Sequence, residues 1–149
     1  MPGMVTVMVS RRRWLLVGVV FFSACLWSSY EKILRIHVEV LSSMVEKAAD
    51  SAAAGRRPTP NDITELLYPL SRARQFLRQY EKQAGRDSYR SFESLLDRYE
   101  RLAREIDVAR VSDDGWQRLR PRLAAEGASW REAAATVVGQ AEREAHAGA

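Results

Sequence analysis

The chain has 149 residues, which is enough for one domain and a terminal segment. It carries 23 basic and 19 acidic residues, and 46% of its residues are hydrophobic, so disorder of the whole chain is excluded. Arg11–Arg13 precede the first acid, Glu31, and the rest of the chain is nearly neutral. This balance argues against a nucleic-acid binder. A single cysteine, Cys25, excludes an intrachain disulfide and a cysteine-based metal cluster.

The segment RRRWLLVGVVFFSACLWSSY contains the only strongly apolar run of the chain. As a helix, the uncharged stretch 14–30 reaches roughly 25 Å, near the lower limit for crossing a bilayer core. Trp14 at one end, with Trp27 and Tyr30 at the other, is typical of the two aromatic belts of a membrane-crossing helix. We therefore predict a single transmembrane anchor over residues 14–30.

The basic residues at the start of the chain predict the orientation of this anchor. Clustered arginines beside a first span stay in the cytoplasm, and here they are Arg11, Arg12 and Arg13. The prediction is a cytoplasmic N-terminus over 1–13 and an extracytoplasmic domain over 31–146. In a bacterium this corresponds to the inner membrane, with the body of the protein in the periplasm.

A second interpretation of the same segment is a bacterial lipoprotein signal. The letters FSAC place the small residues Ser23 and Ala24 directly before Cys25. Cleavage there would leave Cys25 as a lipidation site, and acyl chains would hold the protein at the membrane surface. Cleavage by the general signal peptidase, with Ser23 and Cys25 as the small residues, is a third alternative. All three alternatives stay open at the level of sequence.

Helical periodicity dominates the remainder, and no stretch alternates with period two. We predict one continuous helix from about Trp14 to Ala54, ended by the GRRP sequence that follows. The second helix begins at the capping residue Thr59, with Asp62 at the capping-box position, and stops at Gly85.

Two further segments complete the helical pattern. The third helix begins near Asp87 and closes near Val111. The last region begins at Ser112, with Asp113 and Asp114 in its first turn, and we expect a break near EGASWRE, where Ser129 would cap a new helix. We also expect Pro69 and Pro121 to bend their helices. The predicted fold is all-α: one N-terminal transmembrane helix followed by an antiparallel bundle of about four helices.

The sequence offers little that could carry chemistry. Neither His37 nor His146 follows an acid by three residues, so the Glu-x-x-His signature of di-iron bundles is absent. His37 lies on the apolar stripe of the first helix and is interpreted as a hydrogen-bonded residue at the bundle edge. Asp113 and Asp114 are interpreted as first-turn acids that favour the helix dipole. We predict a non-catalytic protein with no cofactor and no metal.

Aromatic residues of the bundle are candidate interface anchors wherever they face outward, and we single out Trp116, Trp130 and Tyr68. The predicted function is a membrane-anchored accessory or scaffold subunit whose bundle docks on partner proteins of a larger integral membrane complex. Homo-oligomerisation through the heptad faces is a further expectation. The alternative from another class is an extracytoplasmic sensor or ligand-binding bundle.

Overall fold

The computed structural model describes the backbone of residues 10–148 and the side chains of residues 29–148. Its helices are α1 (Ser10–Ala53), α2 (Pro60–Gln79), α3 (Asp87–Ala109) and α4 (Asp113–Ala147), with a short 3₁₀-helix at Glu81–Gln83. No strand occurs in the described part of the chain. The predictions of an all-α fold and of a first helix that runs unbroken from the apolar segment into the bundle are confirmed.

Neighbouring helices of the bundle are antiparallel. On α1, Arg35 pairs with Glu142 near the end of α4, whereas the carbonyl of Ala52 accepts a hydrogen bond from Arg120 near its start. Helices α2 and α3 are also antiparallel. The Tyr99 hydroxyl, late in α3, donates to the carbonyl of Leu66, early in α2, whereas the Tyr89 hydroxyl, early in α3, donates to the carbonyl of Leu77, late in α2. With short loops between them, the four helices form an up-down-up-down bundle.

The core is built from one apolar stripe on each helix. On α4 the buried positions recur at steps of three and four residues, which is the spacing of a bundle seam. The two tryptophans of this stripe, Trp116 and Trp130, are the largest fully buried side chains of the described region. The α4 stripe comprises Trp116, Leu119, Leu123, Gly127, Trp130, Ala134, Val137 and Ala141.

Two helix starts follow their predicted caps. Thr59 and Asp62 exchange hydrogen bonds, with the Asp62 amide on Thr59 Oγ1 at 3.3 Å and the Thr59 amide on Asp62 Oδ2 at 2.7 Å. These bonds hold the pKa of the Asp62 carboxyl below its usual value. Ser112 Oγ accepts the Gly115 amide at 3.1 Å at the start of α4. Both caps satisfy amides that have no partner within their own helix.

The end of α1 is a Schellman motif centred on Gly55. Gly55 has a φ of 75°, its amide binds the carbonyl of Ala52, and the amide of Arg56 binds that of Ser51 at 2.9 Å. This positive φ is unfavourable for a residue with a Cβ. The glycine therefore fixes the point at which the chain leaves α1.

We expect Gly55→Ala to lower the free energy of unfolding by about 1–2 kcal/mol, because alanine in the left-handed region is strained. A Cβ at Gly55 would meet only the Arg120 guanidinium at an ordinary 3.5 Å, so the cost comes from the backbone. Gly85→Ala is the matched control, since nothing lies within 4 Å of its Cβ and its φ is not positive. Chemical denaturation of both variants measures the difference, and equal stabilities would contradict it.

Two predicted helix boundaries are wrong. Helix α4 continues through the expected break, and Ser129 caps nothing there, because its Oγ accepts a hydrogen bond from Arg98 at 2.8 Å. Glu126 also binds Arg98, at 2.5 Å, so contacts to α3 hold this stretch in the helix. Helix α2 ends at Gln79 and not at Gly85, because a 3₁₀ turn intervenes. Helix α2 continues past Pro69 and α4 past Pro121, and the bends expected at these residues stay predictions.

Candidate functional site

The described end of α1 that adjoins the apolar segment enters the bundle through Tyr30. The ring of Tyr30 is 1% exposed and lies 5.7 Å from Phe76 and 5.4 Å from Tyr80 between ring centroids. We predicted that Tyr30 belongs to the aromatic belt of the anchor. In the structure its ring lies in the core of the bundle, and its position relative to lipid stays a prediction. The side chains of the other predicted anchor residues lie outside the described ones: Arg11, Arg12, Arg13, Trp14 and Trp27, together with the lipidation candidate Cys25.

A buried chain of hydrogen bonds joins three helices at this end. The Tyr30 hydroxyl lies 3.2 Å from Ser88 Oγ, and Ser88 Oγ in turn donates to Glu144 Oε2. The Ser88 amide donates to Glu144 Oε1 at 3.0 Å. Since Ser88 is in the first turn of α3, the carboxylate from α4 acts as a tertiary cap for α3. Burial raises the pKa of Tyr30 to about 12, so the hydroxyl stays protonated.

An ion-pair group on the surface lies beside this chain. Arg35 Nη2 donates to Glu31 and to Glu142, each at 2.6 Å, and so links α1 to α4 a second time. The Nε atom of Arg35 is buried without a partner in the described structure. Because Arg35 and Glu142 are close to half exposed, their ion pair contributes modestly to stability. Their effect is to fix the relative position of α1 and α4 close to Tyr30.

His37 is part of an aromatic cluster. Its ring centroid lies 5.0 Å from that of Phe76 and 6.5 Å from that of Phe92. Its half-buried side chain agrees with the predicted position at the bundle edge, but the contacts seen among the described residues are with aromatic rings and not the expected hydrogen bond. Burial, with a smaller contribution from Arg72, lowers the pKa of His37 below 6.5. The imidazole is therefore neutral at pH 7.

We expect His37 to make the protein less stable in mild acid. Its folded-state pKa lies below the unfolded value of 6.5, so the unfolded chain binds protons more readily, and the free energy of unfolding falls as the pH drops below 6.5. Denaturation of the wild type and of His37→Gln at about pH 7.5 and about pH 5.5 tests this. The variant should lose less stability over this interval, and equal losses would contradict the prediction. Both proteins share every carboxylate, so the comparison isolates His37.

The three aromatic interface candidates occupy different places. Trp116 and Trp130 are buried, at 2% and 0% exposure, and act as core residues. Trp130 Nε1 donates to Ser42 Oγ at 2.9 Å, and its ring meets Tyr99 edge-on at 5.8 Å. Tyr68 is 68% exposed, so it alone of the three is available at the surface.

Other apolar side chains are exposed in three regions of the described chain. Ile36 and Val40 lie one turn apart on α1, and Leu67 lies beside Tyr68 on α2. Val108 and Val111 lie at the end of α3 and just beyond it. These residues add nothing to the core of their own bundle, and exposed apolar positions of this kind are candidates for contact with another surface.

The end of the bundle farthest from the apolar segment has a cleft of about 290 Å³ between the end of α1 and the start of α2. Met44, Ala48, Leu66 and Ile106 form its apolar lining. Its charged lining residues are Lys47, Arg56, Arg57, Asp62 and Glu65. Two of the bases already have carboxylate partners, since Lys47 pairs with Glu65 and Arg57 with Asp113.

No group of three or more histidine, cysteine or acidic side chains that could hold a metal ion occurs among the residues the structure describes. Among the residues whose side chains the structure describes, no helix is long and apolar enough to cross a membrane. Comparison of the chain with protein-family models, with curated proteins and with solved structures finds no match. The class that the fold defines is an antiparallel four-helix bundle.

Proposed function

We propose that this protein is a non-catalytic, membrane-anchored accessory or scaffold subunit. Residues 14–30 anchor it, and the helical bundle docks on partner proteins of a larger integral membrane complex. The protein resides in a bacterial inner membrane, with the N-terminus in the cytoplasm and the bundle in the periplasm. Arg11–Arg13 before the apolar run support this orientation.

The observation that carries the proposal is the continuity of α1. The helix runs from Ser10 to Ala53 without a loop, and Tyr30, the last residue of the proposed anchor, is already buried in the bundle. The hydrogen bonds from Tyr30 to Ser88 and from Ser88 to Glu144 tie this helix to α3 and α4. A bundle joined in this way cannot swing freely on its anchor, which suits a rigid docking module more than a tethered one.

The same continuity favours an uncleaved anchor over a lipoprotein. A lipoprotein cut before Cys25 would leave only four residues between the acylated cysteine and the buried Tyr30. That distance is too short for the flexible tether that commonly follows such a cysteine. The two alternatives predict different masses for the mature protein, so an intact mass measurement distinguishes them.

The test is fractionation of cells that express the full chain, followed by intact mass measurement. We expect the protein in the membrane pellet after alkaline carbonate washing, with an uncleaved N-terminus. A mass that begins at Cys25 and includes acyl chains would establish the lipoprotein. Recovery in the soluble fraction would overturn the membrane proposal.

The scaffold role requires a second measurement. Chemical cross-linking in intact membranes before detergent extraction should capture neighbouring proteins together with this chain. Recovery of the chain only as a monomer, without any co-purifying protein, would contradict the subunit role while leaving the anchor intact.

A ligand-binding bundle is the second candidate, and the cleft at the far end favours it. Among the described residues, Arg56 has a serine partner and no carboxylate partner. Its side chain lines the cleft beside the apolar residues Met44 and Leu66. This combination suits a small anion with a short apolar chain. Thermal denaturation with millimolar hexanoate tests the site, with Arg56→Ala as the control. A rise in Tm that the variant lacks would support ligand binding, and no rise would remove its support.

A further inference from the structure

The face of α1 that points away from the bundle core carries its own apolar residues. Ile36 is 56% exposed and Val40 is 44% exposed, whereas Leu34 and Leu41 on the opposite face are fully buried. Ile33 is half-buried beside them and packs against the core. Helix α1 therefore buries one apolar face in its own bundle and has further apolar side chains on the face exposed to solvent.

These residues follow a heptad pattern, with successive steps of four and three. We call this set of positions the outer seam of α1, and in the described part of the helix it comprises Ser29, Ile33, Ile36, Val40, Ser43 and Lys47. The last four are exposed, whereas Ser29 and Ile33 are half-buried. Alternating steps of four and three are what two helices need to stay in contact along their lengths. Isoleucine and valine at such positions are typical of coiled-coil seams.

The same register continues toward the N-terminus in the sequence, where it meets Leu26, Phe22, Val19 and Leu15. Because nearly every position of the apolar run is apolar, the run is compatible with any heptad register. The evidence for this register therefore comes from the residues after the run, above all Ile36 and Val40. They extend the seam past the proposed anchor and along the helix that the bundle shares with it. A partner that covers the whole seam must itself have a long helix that crosses the membrane and continues into the periplasm.

We infer that two copies of this chain associate in parallel through the outer seam of α1. The inference rests on the proposed membrane anchor, because a common orientation in the bilayer aligns the two α1 helices in parallel. A second copy supplies a helix of matching length and register, in which each seam residue meets its own counterpart.

Charge along the seam is compatible with pairing of identical helices. No charged residue occupies the outer seam from Ser29 to Ser43, so like charges do not face each other there. Lys47 at its far end is engaged by Glu65 at 2.9 Å, which offsets repulsion between two copies of this lysine.

Lipid cannot cover the whole seam. Val40 is ten residues beyond Tyr30, which corresponds to a rise of about 15 Å along the helix. The headgroup layer of one leaflet is only about 5–8 Å thick, so Val40 lies above it if Tyr30 marks the end of the anchor. Only contact with protein, and not with the bilayer, could bury a valine at that height.

The test uses single cysteines in the full chain, with Cys25→Ser as the background. Ile36→Cys and Val40→Cys place a thiol on the seam, and Glu39→Cys places one at nearly the same height but off the seam. All three positions are exposed, so none of the changes disturbs the core. Oxidation in native membranes should link the seam variants into a band of twice the monomer mass, at least about fivefold more than Glu39→Cys, because only seam positions meet their counterparts.

The same samples are also fractionated, so the experiment tests the paired helices and the membrane anchor separately. A protein that remains in carbonate-washed membranes but gives no seam-specific dimer overturns the inference and leaves the anchor standing. Equal linking of Glu39→Cys and Val40→Cys, or a linked band of another mass, also overturns it. Seam-specific linking in the soluble fraction would support the paired helices and overturn the anchor.

Discussion

Replacement of Trp130 by alanine is expected to lower the free energy of unfolding by about 3–5 kcal/mol, the largest effect of any single change considered. The Trp130 side chain is fully buried and touches two other helices. It donates to Ser42 on α1, packs edge-on against Tyr99, and has the Arg98 guanidinium 5.7 Å from its ring centroid. Alanine would leave a cavity where α1, α3 and α4 meet. Denaturation of the full chain in detergent micelles, followed by circular dichroism, measures the loss.

Two controls define the origin of this effect. Tyr68→Ala removes another large aromatic ring, but from an exposed position, and should change the free energy of unfolding by less than about 0.5 kcal/mol. Trp130→Phe keeps most of the packing and loses the bond to Ser42, so its effect should lie between the two. A Trp130→Ala protein as stable as Tyr68→Ala would show that Trp130 does not hold the helices together.

The second large effect is expected from Glu144→Ala, at about 2–3 kcal/mol. Glu144 accepts hydrogen bonds from both the amide and the hydroxyl of Ser88, and Ser88 is 0% exposed. Without the carboxylate, the buried Ser88 amide loses its acceptor, and the Ser88 hydroxyl is left with the Tyr30 hydroxyl as its partner. The same denaturation experiment measures the effect.

Glu142→Ala is the matched control for Glu144→Ala. Glu142 is on the same helix two residues earlier, but it is 46% exposed, and among the described residues its one ion pair is with Arg35. Its loss should therefore cost less than about 1 kcal/mol. Glu144→Gln keeps an acceptor for one Ser88 donor and should fall between the two alanine variants. If Glu142→Ala and Glu144→Ala proved equally stable, the buried chain would not act as a tertiary cap for α3.

These two contacts bear directly on the proposed function. Trp130 joins α4 to the middle of α1, and Glu144 joins α4 to α3 beside Tyr30, where α1 leaves the bundle. Together they keep α1 in one position relative to the other helices. A change that loosened this end would be expected to weaken any assembly that depends on a fixed outer seam.

Much of the secondary structure could be predicted from local pattern. Thr59 with Asp62 and Ser112 mark helix starts, and each carries the hydrogen bond that its position indicated. Gly55 marks the end of α1 because its backbone needs a positive φ. Such signals are reliable here because the side chain and the amide that it satisfies are within three residues of each other.

The errors arose where a local signal competed with contacts from another helix. The sequence around Ser129 resembles a helix start, yet Ser129 and Glu126 both bind Arg98 on α3, and the helix continues. The sequence also could not show that the ring of Tyr30, predicted as a belt residue together with Trp27, has partners on α2 and α3. Competition of this kind is decided by neighbours that are distant in sequence.

The candidate site was even less accessible to sequence reasoning. Ser88 and Glu144 are 56 residues apart, as the hydrogen bond between them records, and neither is part of a motif. Trp130 and its partner Ser42 are 88 residues apart. Periodicity placed the tryptophans on a stripe but could not say whether the stripe faced the core or a partner. Only burial in the assembled bundle distinguishes Trp130 from the exposed Tyr68.

The amino-acid sequence by itself determined that this chain forms helices, where three of them begin or end, and that its one long apolar run is next to three arginines. Those properties depend on residues that are near each other along the chain. The tertiary structure decided which aromatic rings are buried and which expected helix break does not occur. It also decided that Ile36 and Val40 on the outer face of α1 are exposed to solvent. The physical reason is that burial and capping between helices depend on how four stripes pack together, which no single stripe specifies.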